Sequence, residues 1–141
     1  MIYRLVSPEG QMDLEVLPQI LLEWQRTLKL LDWDISAFIA PSEEMDSSEG
    51  LVYWDLNKKI AEIKIVSRED YPSDAMCPYC IEKILVHELL HLHFAPFDAK
   101  TGTLRGTAQE QAINAIAHAL VKLKYANLSP QGATANSSPT A

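Results

Sequence analysis

The segment His87-Glu88-Leu89-Leu90-His91 combines residue types and spacing that could do chemistry. Residues four apart share one face of a helix, so two imidazoles can grip one ion while a carboxylate one position after the first stands beside them. A catalytic zinc usually takes three protein ligands and leaves the fourth position to water, so two histidines need a third donor. Glu110 is the best candidate. It follows His91 by nineteen residues, enough for one helix to end, a loop to reverse the chain and the next helix to bring a carboxylate back. Thr107 and Glu110 also have capping-box spacing, which offers Glu110 a different occupation at a helix start. His93 points about 200° round the helix from His91 and joins the same ion only where the helix ends or unwinds. His118, two turns after Glu110, could also reach the cleft. Taken singly, each histidine could instead be a partly buried helix residue bonded to a backbone carbonyl.

A second constellation is Cys77-Pro78-Tyr79-Cys80, which holds the only two cysteines. It resembles the active-site motif of glutaredoxins, since a helix N-terminus stabilises a thiolate and this spacing permits a reversible disulfide. That fold wants a strand running almost directly into the first cysteine, whereas a polar stretch precedes Cys77. No second cysteine pair exists to complete a structural zinc site. Two modestly buried thiols at a helix start are the plain account.

The elements that position these residues follow from periodicity. Leu17, Leu21, Trp24, Leu28 and Leu31 recur at helical steps over 14–31, and Pro18 places the start of that helix near Leu17, because proline fits a first turn. Trp33, Ile35, Ala37 and Ile39 alternate as a strand ending at Pro41, followed by a turn-rich run over 42–50. Strands over 51–56 and 60–67 form a hairpin across Asn57-Lys58-Lys59, with Ala61, Ile63 and Ile65 facing inward and Glu62 and Lys64 outward. Residues 2–6 offer a fourth strand. A long helix over 78–93 carries the histidine motif. A last helix over 108–126 starts at Thr107 and presents Ala112, Ile113, Ile116, Ala119, Leu120 and Leu123. These elements predict an α+β fold: a small, mostly antiparallel sheet of three or four strands packed on three helices. A single domain over 1–127 precedes a low-complexity tail, 128–141, expected to be disordered.

Composition narrows the partners. The chain has 141 residues, a 48% apolar fraction and a formal net charge of −7. A domain this size buries roughly 68% of its unfolded surface, so it needs no disulfide staples. The negative charge, without clustered Lys and Arg, argues against a nucleic-acid partner, because phosphate neutralisation is the main source of that affinity. No stretch approaches the roughly 20 apolar residues that span a bilayer, and residues 1–10 lack a basic region followed by an apolar run. No membrane partner is expected, and the cytoplasm is the expected location.

With these residues placed, 60–123 resemble the gluzincin-type zinc metallopeptidases, the thermolysin-like group, and most of all their minimal single-domain bacterial and phage members. In that family His-Glu-x-x-His supplies two zinc ligands and the general base, and a glutamate on the following helix completes the site. The resemblance implies a minimal zincin-like domain with one zinc ion per chain, His87, His91 and Glu110 as its ligands, and Glu88 as the base. The family's acidic residue four positions after the third ligand is Asn114 here, which can still orient a ligand histidine by a hydrogen bond but carries no charge. The walls and oxyanion-steadying tyrosine and histidine of larger relatives are not recognisable, which leaves His118, Tyr71 and Tyr79 as candidate donors. The implied reaction is peptide-bond hydrolysis, in which Glu88 takes a proton from the attacking water and passes it to the leaving amine. The implied partner is a peptide or protein substrate, lying extended along the strand at 60–67, and the chain is expected to be a monomer or weak homo-oligomer. Manganese, cobalt or nickel could use the same ligands. The alternatives are a non-catalytic zinc-binding or protein-interaction module on a degenerate metallopeptidase fold and, more remotely, a thiol redox protein using Cys77 and Cys80.

Overall fold

A computed structural model describes residues 8–97 and 99–126. The expected strand at 2–6 and the tail at 128–141 lie outside the described residues. By its contacts the chain divides into two compact units, Met1–Asp98 and Ala99–Ala141. The described residues form an α+β fold with three α-helices and a three-stranded sheet.

In the first unit, α1 (Pro8–Thr27) buries Asp13, Leu17, Leu21, Trp24 and Gln25 along one side. The helix begins well before the expected start near Leu17, so Pro18 sits in its interior. Pro18 is exposed. It removes one helical hydrogen bond and crowds the Leu14 carbonyl, a penalty of roughly 3 kcal/mol that the buried stripe on the other side must outweigh. Pro8 is the residue that takes the favoured first position. The helix stops at Thr27 rather than near Leu31. The Lys29 amide donates to the Arg26 carbonyl (3.2 Å) and the Leu30 amide to the Gln25 carbonyl (2.7 Å), with Lys29 at φ 61°. That pairing is a Schellman ending, with lysine where glycine is usual and buried Leu30 as its apolar anchor. The Gln25 side-chain amide then donates to the carbonyls of Leu30 (3.2 Å) and Trp33 (3.0 Å) and sets the chain on course for the first strand.

The strands are β1 (Asp34–Ala40), β2 (Gly50–Asp55) and β3 (Ile60–Val66), in the order β1-β3-β2. β3 pairs antiparallel with β2, Ile63 opposite Val52, and parallel with β1, Ile63 opposite Ala37. The sheet is therefore mixed. The hairpin turns β3 back between β1 and β2, and because β2 runs opposite to β1 the strand that reverses after it runs the way β1 runs. Ala61, Ile63 and Ile65 are buried and Glu62 is exposed, as the alternation predicts. The hairpin loop occupies residues 56–59, one more than expected, with Lys59 at φ 53° and the Lys58 amide donating to the Asp55 carboxylate.

A knot of polar and aromatic side chains fixes the segment ahead of the next helix. Arg68 donates twice to the buried Asp13 carboxylate, at 3.1 and 3.0 Å, and lies 4.7 Å from the centre of the Tyr79 ring. The Tyr79 hydroxyl donates to the Val66 carbonyl and the Tyr71 hydroxyl to the Cys77 carbonyl, both at 2.7 Å. Burial, and next the Asp13 charge, push the Tyr79 hydroxyl well above its ordinary pKa of 10.0. The folded chain thus keeps a proton that the unfolded chain gives up above about pH 10. Stability from this group is complete below pH 10 and is lost progressively above it. Alkaline denaturation followed by circular dichroism should show that decline, and Tyr79→Phe should flatten it while lowering stability at neutral pH through the lost hydrogen bond.

The helix α2 (Ile81–Phe94) starts three residues later than expected, because Cys80 is its N-cap and its thiol accepts the Lys83 amide at 3.4 Å. Its buried residues run almost all round it: Ile81, Glu82, Ile84, Leu85, Val86, Glu88, Leu89, Leu90 and Leu92. The Trp24 indole donates to the buried Glu82 carboxylate at 2.6 Å and pins α1 to α2.

In the second unit, α3 (Leu104–Ala126) begins four residues before the expected 108. Thr103 is its cap: the Gly106 amide donates to the Thr103 hydroxyl oxygen at 3.0 Å, and the Thr107 amide to the Thr103 carbonyl at 3.0 Å. Thr107 is consequently inside the helix, and the expected Thr107–Glu110 capping box does not form. The buried stripe is Gly106, Ile113, Ala117 and Val121, whereas Ile116 and Leu123 from the expected apolar face are exposed. Alanines and leucines populate two overlapping stripes of this helix, and periodicity alone does not choose between them.

Candidate metal centre

Helix α2 carries His87 and His91 one turn apart, as their spacing requires. The ring centroids are 5.1 Å apart with planes tilted by 56°, and both side chains are half-buried. Glu88 is a buried residue of the same helix. It is 6% exposed, and its carboxylate lies against the start of β2, where a Cβ built on Gly50 would stand 2.6 Å from Glu88 Oε1.

Glu110 belongs to α3. With Thr103 capping that helix, the rival occupation of Glu110 at a helix start is gone. Helical spacing aligns Glu110 with Ile113, Ala117 and Val121, the buried side of α3, and its own side chain is exposed. Two imidazole nitrogens and one carboxylate oxygen are a donor set that zinc takes in catalytic sites.

The other sequence candidates divide. His93 stays on regular helix and its Nε2 hydrogen-bonds the Leu28 carbonyl at 2.7 Å, beyond the end of α1, so its work is capping. His118 is exposed on α3, and Asn114 is exposed one turn past Glu110. Tyr71 and Tyr79, candidate oxyanion donors, give their hydroxyl protons to backbone carbonyls instead. Cys77 is exposed rather than modestly buried, Cys80 is half-buried, and both are free thiols. The strand at 60–67 does not offer an edge to a peptide, because β3 is paired on both sides; β2 carries no further strand on its outer edge among the described residues.

Two glycines escaped the sequence reading. Gly50 ends the polar run, so it reads as a turn residue, and its contact with Glu88 depends on packing across elements. Gly106 reads as a loop glycine but is the third residue of α3, where a Cβ would meet the Lys100 carbonyl oxygen at 2.2 Å. That oxygen belongs to the backbone and cannot swing aside. Gly106→Ala should therefore destabilise the protein by roughly 1–3 kcal/mol, read as a lower urea midpoint.

Comparison of the chain with family models, with curated proteins and with solved structures finds no match.

Proposed function

We propose that this chain is a zinc-dependent peptidase, with His87, His91 and Glu110 holding one ion and Glu88 acting as general base. The observation that carries the reading is a pair of half-buried imidazoles one turn apart on α2, with ring centroids 5.1 Å apart, and a buried carboxylate at the position following the first histidine. A zinc ion bound there supplies Lewis acidity, which acidifies water and polarises a carbonyl. Glu88 accepts the proton of the attacking water at a carboxylate oxygen and delivers it to the departing amine. The outer edge of β2 presents main-chain donors and acceptors to an extended peptide, and Gly50 at the head of that strand touches Glu88. A peptide paired there is recognised through its backbone, so shape matters before side chains.

No helix among the described residues is long and apolar enough to cross a membrane. With the net charge of −7, this supports a cytoplasmic protein whose partners are peptides or proteins rather than nucleic acid. One observation favours a second reading, a zinc-binding module without catalysis: neither Tyr71 nor Tyr79 has a hydroxyl proton to offer an oxyanion. Zinc titration of the metal-free chain, paired with cleavage of a fluorogenic peptide library, separates the readings. One zinc per chain with zinc-dependent cleavage supports the peptidase, one zinc without cleavage supports the module, and no zinc binding ends both.

A further inference from the structure

The backbone of β2 approaches α2 at Gly50. A Cβ there would lie 2.6 Å from Glu88 Oε1, 2.8 Å from Ile84 Cγ2 and 3.0 Å from Glu88 Cγ. Real Cβ atoms essentially never come within 3.0 Å of another group, so every residue but glycine forces a neighbour to move. Ile84 and Glu88 are one turn apart on α2 and both are buried. Ile84 is held by the core. The freer partner is the end of the Glu88 side chain, which can rotate about its own bonds. Gly50 also sits in the paired register of the sheet, opposite Ile65, so β2 cannot retreat without losing its pairing with β3.

We propose that Gly50 is a positioning residue for Glu88: by having no side chain, it admits the carboxylate against the β2 backbone and holds it in one rotamer. Any larger residue at position 50 turns the carboxylate away while leaving His87, His91 and Glu110 in place. The placement of Glu88 stands on contacts alone, and its consequence for turnover rests on the peptidase reading.

Gly50→Ala tests both parts. On turnover, kcat for a zinc-dependent peptide substrate should fall about 10²-fold, the penalty of roughly 1 Å of misplacement, with KM and zinc stoichiometry unchanged. Unchanged kcat in a chain that cleaves peptides overturns the proposal. A thermal cycle with Glu88→Ala decides the contact without any activity. Gly50→Ala should lower Tm by roughly 3–6 °C alone and by less than half as much in the Glu88→Ala background, where Oε1 and Cγ are gone. Equal losses in the two backgrounds overturn the proposal, since the clash would then lie with Ile84. If the unaltered chain cleaves nothing, the peptidase reading has failed and the cycle still supports or overturns the placement. If Gly50→Ala is too unstable to melt cooperatively, recovery of a cooperative melt on adding Glu88→Ala supports the proposal and failure to recover one overturns it.

Discussion

Glu88→Gln is expected to reduce peptide cleavage by about 10²–10⁴-fold while the chain still binds one zinc ion. Glutamine has the shape of glutamate and fits the same space beside Gly50, but its amide does not accept a proton at neutral pH. The substitution therefore removes proton transfer while keeping the size of the side chain. Glu88→Ala is a poorer probe, because it also opens a void where a 6% exposed side chain was packed and releases the contact with Gly50. Steady-state kinetics on a fluorogenic peptide, with zinc content measured on the same preparation, give both numbers. Cleavage that persists in Glu88→Gln at the original rate removes Glu88 as the base. Loss of zinc along with cleavage would instead make the carboxylate a support for the ligands.

The histidine motif was legible in the sequence because it is a property of one helix: residues 87, 88 and 91 need only the turn of α2 to take their places. β3 was legible for the same reason, since the alternation of Ala61, Ile63 and Ile65 is local. What failed depended on choices between near-equivalent signals. Thr103 and Thr107 both precede a helical run; the glutamate three residues after Thr107 made it the stronger cap on paper. The structure caps at Thr103, where Gly106 can pass the Lys100 carbonyl. Lys29 ends α1 in the left-handed region with no glycine to announce it, and Pro18 lies inside a helix whose buried stripe overrides it. The parallel β1–β3 pairing and the contact of Gly50 with Glu88 were out of reach, because both depend on which elements become neighbours.

The ligand set makes its own prediction, which rests on mass action rather than turnover. An ion that binds only the folded chain stabilises it by about 2.7 kcal/mol when free zinc exceeds the dissociation constant a hundredfold. For a protein of this size, roughly 5–11 °C of Tm should appear on adding zinc and vanish with a chelator. His87→Ala or His91→Ala should abolish the shift, since the remaining imidazole and carboxylate no longer enclose an ion. Glu110→Ala is the most discriminating variant. Because Thr103 caps α3 and Glu110 is exposed, the metal-free variant should melt within about 0.5 kcal/mol of the unaltered chain, as surface substitutions do. Its loss should appear only in the zinc-dependent part of Tm. A glutamate serving a helix cap would behave in the opposite way, costing the metal-free protein about 1 kcal/mol and leaving the zinc shift intact. Differential scanning fluorimetry of the two chains, with and without zinc, therefore assigns Glu110 by which of two melting temperatures moves.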